Sequence, residues 1–430
     1  MHMQVTIIGL GYVGLPLAAV LATRGFRVRG VDTDAGVVRR INECATRCTE
    51  PHLDGLLRAV VADGLLAASQ TVEPSDLYVI AVPTPLDAQR AADLTAIRQA
   101  CSALAPVLKP GDVVILESTS PVGTTEQLAC WLAQGRTDLS FPHAQGDAAD
   151  VRIAYCPERV LPGNALAELI SNDRVIGGLT THCASAAAAF YRSFITGECV
   201  TTDSRTAEAC KLAENSFRDL NLAFANELSM ICDRLGVDTP ELIRLANRHP
   251  RVSILQPGAG VGGHCIAVDP WFLVQAAPDL AQLTRQARQV NDAKPAWVID
   301  RVEAAVAQLA LAGLAAPTIA CLGLAFKAGS DDLRESPALA IALALARRFV
   351  GRVRAVEPHL QALPSSIAAE LPLVDLAMAG ACDLLVLLVP HRQFFEASLP
   401  LRVGQRVVDV CGSAGCHPSN AALAGNAHEN

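Results

Sequence analysis

The sequence lacks a surplus of positive charge. Its 430 residues carry 35 Lys and Arg against 43 Asp and Glu, a formal net charge of −8. That balance argues against a nucleic-acid binder, whose footprint is basic. It leaves room for an anionic substrate held by a local cluster of cations. An unbroken hydrophobic span is also missing. The uncharged stretch 304–326 is interrupted by Gly313 and Pro317, and its second half (Thr318-Ile319-Ala320-Cys321-Leu322) is strand-like. A helix, a loop and a buried strand are expected there, not a membrane span. No leader-like segment stands ahead of the apolar run Gln4–Ile8, so a cytoplasmic location is expected. Metal-ligand spacing is absent as well. Cys44 and Cys48 have no partner pair nearby, Cys411, Cys416 and His417 make a poor set, and no metal is expected. What the chain does have is apolar surface, at 51% hydrophobic residues, and 14 Cys scattered through apolar surroundings, as in reduced proteins. The length predicts two or three domains.

The first two hundred residues alternate short apolar strands with Ala/Leu-rich helices. Strands are predicted at Val5–Gly9, Val28–Val31, Leu77–Val82, Val113–Glu117, Arg152–Cys156, Val175–Gly177 and Glu198–Thr201, the pattern of a parallel, doubly wound sheet. From Arg205 to Leu235 there is hardly a breaker, and the heptad-like apolar spacing predicts one long helix. Shorter helices are expected from Ala281 to about Leu311. Alternation then resumes with strands at Thr318–Leu322, Arg352–Val356, Leu384–Val389 and Val407–Val410. The two ends resemble each other: Ile7-Ile8-Gly9-Leu10-Gly11 parallels Ala320-Cys321-Leu322-Gly323-Leu324, and Val31-Asp32 parallels Val356-Glu357. The expected fold class is therefore α/β, with two Rossmann-like doubly wound domains joined by a long central helix and a small helical domain. The expected boundaries are 1–200, 201–312 and 313–415, with a disordered Ala/Asn/Gly-rich tail at 416–430.

Two loops carry chemistry. Gly9-Leu10-Gly11-Tyr12-Val13-Gly14 follows a strand and opens a helix; glycines there permit a tight turn and close approach of a pyrophosphate to the helix N-terminus. Asp32 ends the second strand, where its carboxylate accepts from ribose hydroxyls and repels a 2′-phosphate. No Arg follows it at once, so NAD is expected over NADP. The second loop, Gly258-Ala259-Gly260-Val261-Gly262-Gly263-His264-Cys265, sets a thiol behind glycines, with Asp269 four residues on. Beside a nicotinamide, such a thiol is a candidate nucleophile able to hold an acyl group. Taken alone, it is equally a buried cysteine in a Gly-rich turn.

Seven segments then fall in order: Gly9–Pro16, Val82-Pro83-Thr84-Pro85, Glu117-Ser118-Thr119-Ser120-Pro121, Cys156-Pro157-Glu158-Arg159, Lys211-Leu212-Ala213-Glu214-Asn215, the Cys265 loop, and Gly323-Leu324-Ala325-Phe326-Lys327 with Asp331-Asp332-Leu333-Arg334-Glu335-Ser336-Pro337. Across nearly the whole chain they resemble the UDP-glucose/GDP-mannose dehydrogenase family. Val261-Gly262-Gly263-His264-Cys265-Ile266-Ala267-Val268-Asp269-Pro270 resembles the subgroup acting on N-acetylated sugars, where the glucose enzymes carry a Phe-Gly-Gly-Ser-Cys type of loop. The resemblance implies oxidation of a sugar C6 alcohol to a carboxylate by two NAD molecules, with UDP-N-acetyl-D-mannosamine as the expected substrate and surface polysaccharide as the expected destination.

By the same resemblance, Cys265 is the nucleophile that holds the aldehyde, and Lys211 and Asn215, four apart on one helix face, hold the C6 oxygen. Asp269 and Thr119 hold a catalytic water, and Glu158 assists thioester formation or hydrolysis. Cofactor contacts fall on Gly9, Gly11, Tyr12, Val13, Gly14, Asp32, Thr84, Thr119, Lys327 and Arg334. Substrate contacts fall on Arg159, Val160, Lys211, Asn215, Arg218, His249, Arg251 and Gly262. Arg251 matches an arginine that crosses a dimer interface, so a homodimer is implied. His264 is expected to structure the loop or touch substrate, not to activate the thiol. The chain departs from the family pattern at Asp409-Val410-Cys411-Gly412, where Arg or Lys often stands, and at Val37, where relatives often carry Arg. The rival readings are UDP-N-acetylglucosamine or UDP-glucose as substrate, a one-step hydroxyacid dehydrogenase with no need of Cys265, and an inactive nucleotide-sugar sensor.

Overall fold

Short runs of bulky apolar residues, separated by turn formers, build two sheets in the computed structural model, which describes residues 3–46, 50, 52–160, 163–396 and 402–412. Cys48, Cys416, His417 and the tail 416–430 lie outside the described residues. Compactness divides the chain into two units, Met1–Glu214 with Trp271–Pro278, and Asn215–Pro270 with Asp279–Asn430.

The first unit holds an eight-stranded sheet: β1 (Gln4–Ile8), β2 (Arg27–Val31), β3 (Leu66–Ser69), β4 (Leu77–Ile80), β5 (Val113–Leu116), β6 (Arg152–Tyr155), β7 (Arg174–Gly178) and β8 (Cys199–Asp203). Their order is β3-β2-β1-β4-β5-β6-β7-β8. The first six strands have the doubly wound arrangement that puts ligand loops at the strands' C-terminal ends. Every residue of β4 is buried, as expected for a central parallel strand covered on both faces. Helix Gly14–Thr23 is buried over Gly14–Ala22, because it packs against both helix Leu53–Ala62 and helix Ala165–Ser171 as well as the sheet; that explains its lack of a polar face.

Two expectations need correction here. The sheet is not wholly parallel, because β7 runs antiparallel to β6. Strand β7 accordingly begins at the same edge of the sheet at which β6 ends. Strand β3 went unpredicted: Leu-Ala-Ala-Ser has weak strand propensity and is fixed by pairing with β2 from Val28↔Leu66 to Val31↔Ser69.

The second unit holds a parallel four-stranded sheet, ordered β10-β9-β11-β12, of β9 (Ile319–Leu322), β10 (Val353–Val356), β11 (Leu384–Leu387) and β12 (Arg406–Asp409). The resemblance between the chain's ends is a structural one. Gly9 N donates to Val31 O and Gly323 N to Val356 O, each at 2.8 Å. Both glycines have positive φ, +96° and +88°, and both lie against the loop after the neighbouring strand, at Ala81 and Val389.

One helix, Ser204–Leu235, runs through 32 residues and passes from one unit into the other. Its first turns are tied to the first unit by Glu208, whose buried carboxylate accepts from Gly123 N, Thr125 N and Thr125 Oγ1 at 2.5–2.7 Å. The shorter helices expected from Ala281 are a single helix, Gln282–Leu311, with Pro295 inside it. Side chains facing the long helix hold it together. Arg288 NH1 donates to Asp219 at 2.6 Å, Asn291 Nδ2 to Asp219 at 2.8 Å and Lys294 Nζ to Ser229 Oγ at 2.6 Å. Among the described residues no helix is long and apolar enough to cross a membrane.

Candidate active site

In the first unit, the loops after β1, β2, β4, β5 and β6 leave the same edge of the sheet. Gly14 opens its helix so close to the preceding loop that a Cβ there would stand 1.9 Å from Gly9 O, whereas a Cβ at Gly11 would meet nothing within 4 Å. The helix N-cap is Val13 and no side chain caps it, which leaves backbone amides suited to an anion. Asp32 Oδ2 accepts from Leu10 N at 3.0 Å and Oδ1 from Asp34 N at 2.9 Å. The carboxylate is partly exposed and keeps lone pairs for ribose hydroxyls. An open glycine, an uncapped helix start and an acid at the second strand's end fit a dinucleotide with a free 2′-hydroxyl. Thr84 Oγ1 donates to Thr119 O and Ser118 Oγ to Val82 O, each at 2.7 Å, so the loops after β4 and β5 form one tied wall.

Glu158 follows β6 and is nearly buried. Its Oε2 accepts from Arg174 NH1 at 3.0 Å, its Oε1 from Arg159 N at 2.6 Å, and its carbonyl from Lys211 Nζ at 2.6 Å. Lys211 is thereby fixed against the Glu158 backbone. Arg159 does not present a bare cation: its Nε and NH2 grip Glu214 at 3.1 and 2.5 Å. Val160 packs its side chain on the hydrophobic core. Beneath Glu158 lie Arg174 and Glu117, both buried, which sequence reasoning did not single out as functional. The available signals were an arginine in the apolar run 174–178 and a glutamate closing the run 113–117.

In the second unit, Asp269 is 3% exposed and starts helix Asp269–Ala276. Its Oδ2 accepts from Asn215 Nδ2 at 2.5 Å, and its backbone N–H donates to Cys265 O at 2.8 Å. Asn215, Asp269 and Cys265 are thus assembled through one hydrogen bond and one turn, and Lys211 stands a single helical turn before Asn215. Cys265 is exposed. The glycines before it serve packing within this unit. A Cβ at Gly262 would stand 2.2 Å from Glu335 O, and Gly263, at φ +84°, lies on the Phe326 ring. His264 Nε2 is 3.8 Å from Asp332 Oδ2. Burial, then the nearby Arg334 charge, pushes this imidazole below its usual range. That shift favours the neutral imidazole near pH 7.

Arg334 donates from Nε and NH2 to Asp332 at 2.8 and 2.6 Å, so its guanidinium is engaged; Lys327 is half-buried above the Phe326 ring. Arg218, His249 and Arg251 are exposed, and Arg251 N donates to His249 Nδ1 at 3.3 Å. The one metal-like cluster among the described residues is Glu357, His359 and His391. Glu357 Oε2 already accepts from Leu324 N, Ala325 N and His391 Nε2, while His391 Nδ1 accepts from Gly329 N. Both His391 nitrogens are used, so the cluster is a clamp on the Gly323 loop.

Three regions of the chain match models of the UDP-glucose/GDP-mannose dehydrogenase family: its NAD binding domain over residues 3–195, its central domain over 205–293 and its UDP binding domain over 320–412. The chain is 55% identical over 413 residues to the UDP-N-acetyl-D-mannosamine dehydrogenase of Escherichia coli K12, covering 95% of this chain and 98% of that one. It is 54% identical over 409 residues to the NDP-N-acetyl-D-galactosaminuronic acid dehydrogenase of Ralstonia solanacearum, covering 95% of each. Among solved structures, the UDP-D-ManNAc dehydrogenase of Pyrococcus horikoshii superposes with a TM-score of 0.84 at 34% identity, covering 95% of each chain.

Proposed function

We infer the function from one premise: this chain belongs to the UDP-glucose/GDP-mannose dehydrogenase family. It is an NAD-dependent nucleotide-sugar dehydrogenase. The substrate the residues support best is UDP-N-acetyl-D-mannosamine, oxidised at C6 from alcohol to carboxylate in two steps. One observation carries this reading: an exposed thiol, Cys265, whose own carbonyl anchors the helix starting at Asp269, with Asp269 bound to Asn215 one turn from Lys211. A single-step dehydrogenase has no use for that thiol, and an inactive sensor has no use for the set.

NAD, when bound on the Gly9–Gly14 loop, would accept one hydride in each of the two oxidations, with a second NAD replacing the reduced first. Lys211 and Asn215 hold the C6 oxygen as its proton leaves, and Lys211 stabilises the oxyanions that follow. Cys265 Sγ adds to the aldehyde carbon and keeps it on the protein as a thiohemiacetal. Loss of a second hydride leaves a thioester on Sγ. Asp269 and Thr119 position the water that hydrolyses it, and Glu158 takes that water's proton. In this reading residues 1–200 bind NAD, 201–312 carry the central helices and 313–415 bind the UDP-sugar, with Arg159, Arg218, His249, Arg251, Lys327 and Arg334 lying along the diphosphates. Arg159 and Arg334 reach a phosphate by exchanging their present carboxylate partners.

A homodimer is part of this proposal. Phe217, Phe224 and Ile231 are 70%, 51% and 46% exposed at seven-residue intervals along the long helix, a stripe that a second copy of the helix covers, and Arg251 then serves the partner's site. Cysteines buried among apolar residues, such as Cys101, Cys156 and Cys321, fit a reducing cytoplasm.

A second substrate has support, since the Ralstonia relative at comparable identity is named for N-acetyl-D-galactosaminuronic acid. The test is purified protein with NAD and UDP-N-acetylmannosamine, UDP-N-acetylgalactosamine, UDP-N-acetylglucosamine or UDP-glucose, counting NADH per sugar consumed. Two NADH with the first is expected. One NADH per sugar, or none with any, overturns the reading; a preference for the second moves the substrate to that sugar.

A further inference from the structure

We propose that Arg174 and Glu117 form a buried positioning pair that orients the Glu158 carboxylate, and through it governs the release of the acyl group from Cys265. The proposal rests on the thioester reading above. In the step concerned, water adds to the thioester carbonyl and passes its proton to Glu158. The carbon–sulfur bond breaks with its electron pair going to Cys265 Sγ, and the thiolate is reprotonated as the new acid ionises.

The geometry is that of a base held from below. Glu158 Oε2 rests on Arg174 NH1 at 3.0 Å, while Oε1 is tied to the Arg159 backbone N–H. Arg174 is 1% exposed on β7, with NH2 donating to Leu169 O at 3.2 Å. NH1 also stands 3.8 Å from Glu117 Oε1, which accepts from Tyr191 OH at 3.1 Å. Four groups face Glu117: Arg174 from β7, Glu158 from the loop after β6, Cys156 at the end of β6, and Tyr191 from helix Thr181–Arg192. Glu117 Oε2 and Arg174 Nε are buried without a hydrogen-bond partner.

Two carboxylates therefore share one buried guanidinium. Such an arrangement is costly to keep merely for stability, since a well-packed apolar cluster of the same volume does as well or better. Burial, and next the Glu158 charge, raise the Glu117 carboxyl above its usual range. Glu117 therefore rests protonated at neutral pH, and Arg174 answers to Glu158 alone. When Glu117 ionises at higher pH it competes for Arg174 NH1, so the aim of the Glu158 carboxylate changes without any change at the reacting atoms. Since the Glu158 backbone carbonyl also holds Lys211 Nζ, the pair braces the oxygen-holding lysine too.

The test uses the full-length enzyme with two variants. Arg174→Lys keeps a positive charge but cannot span both carboxylates. Its kcat is expected to fall about 10–100-fold with KM for sugar and NAD held within about twofold, and an acyl adduct on Cys265 should build up in quenched intact-mass spectra. Glu117→Gln is isosteric with the resting acid. It should keep kcat near pH 7 within a few-fold and lose an alkaline inflection expected in the wild-type pH profile, and this holds as a test even if Arg174→Lys does not fold. Wild-type pH profiles with no added adduct in both variants overturn the proposal. A Cys265→Ser enzyme that still makes acid at the wild-type rate overturns the thioester reading itself. An adduct on wild-type Cys265 with unaffected variants removes only the role of Arg174 and Glu117.

Discussion

Substituting Gly11 and Gly14 by Ala separates a glycine needed by the ligand from one needed by the fold. At Gly14 a methyl would sit 1.9 Å from Gly9 O and 3.1 Å from Ile7 Cγ2. Relief to 3.0 Å moves the helix start away from the loop by more than about 1 Å, an overpacking cost of ~1–3 kcal/mol. A displacement of that size also costs up to about 100-fold where positioning matters, so Gly14→Ala should both melt earlier and bind NAD poorly. At Gly11 the methyl meets nothing within 4 Å, and the residue is not in the left-handed region. Stability should therefore stay level or rise by ~0.4–1 kcal/mol through a less flexible unfolded chain. The methyl does project over the loop where a pyrophosphate must come close, so NAD affinity should fall at least tenfold, ~1.4 kcal/mol. Thermal melts with and without NAD, together with calorimetric titration of NAD, read both quantities on each variant. Unchanged NAD affinity in a stable Gly11→Ala protein would refute the placement of the cofactor on this loop.

Two further outcomes follow from the second unit. Lys294 is fully buried, with Nζ on Ser229 Oγ and over the Trp297 ring, and burial lowers its pKa from 10.5 to about 8. The unfolded chain thus holds this proton more tightly than the folded one. The charge penalises folding fully below about pH 8, and the penalty fades as pH rises from there toward 10.5. Lys294→Met should stabilise the protein at pH 7 by up to ~3 kcal/mol, and the difference in melting temperature should shrink by pH 10; a gap that is constant with pH would refute this. Phe224→Glu places a charge in the exposed stripe of the long helix. On the proposed dimer, the wild type should elute and scatter light as a dimer and the variant as a monomer with lower activity; a dimeric variant refutes that interface.

The strands and the long helix were legible because each is a local apolar pattern. The antiparallel turn of β7 was not, since its direction is set by pairing, and no residue in Arg174–Gly178 announces it. The catalytic candidates were visible as ordered motifs, and lysine helped in a way not exploited: the chain has four, at 109, 211, 294 and 327, so a lysine on the long helix is conspicuous. Glu117 and Arg174 were hidden because their meaning is three-dimensional. One closes β5 and the other opens β7, and only β6 between them brings both under Glu158. The Cys265 glycines were legible as close approach, but what they approach, Glu335 and Phe326, lies more than sixty residues away in sequence.

The two sheets raise a question that motif reading alone does not answer: why one glycine loop suits a dinucleotide when its counterpart does not. Both have the strand–glycine–acid arrangement, with matching backbone bonds at Gly9 and Gly323. The difference is the acid. Asp32 takes one loop N–H and stays partly exposed. Glu357, one methylene longer, reaches both Leu324 N and Ala325 N, receives His391, and is 3% exposed. With a fourth donor, the His359 N–H, on its other oxygen at 3.2 Å, this carboxylate has little left for ribose hydroxyls, so the second loop is closed at the point where the first is open. Burial also makes that closure costly to undo, because freeing Glu357 would strand three backbone amides and a buried imidazole. On the proposed placement of NAD, the length of the acid at the end of the second strand thus leaves the Gly9 loop open to a dinucleotide and holds the Gly323 loop closed.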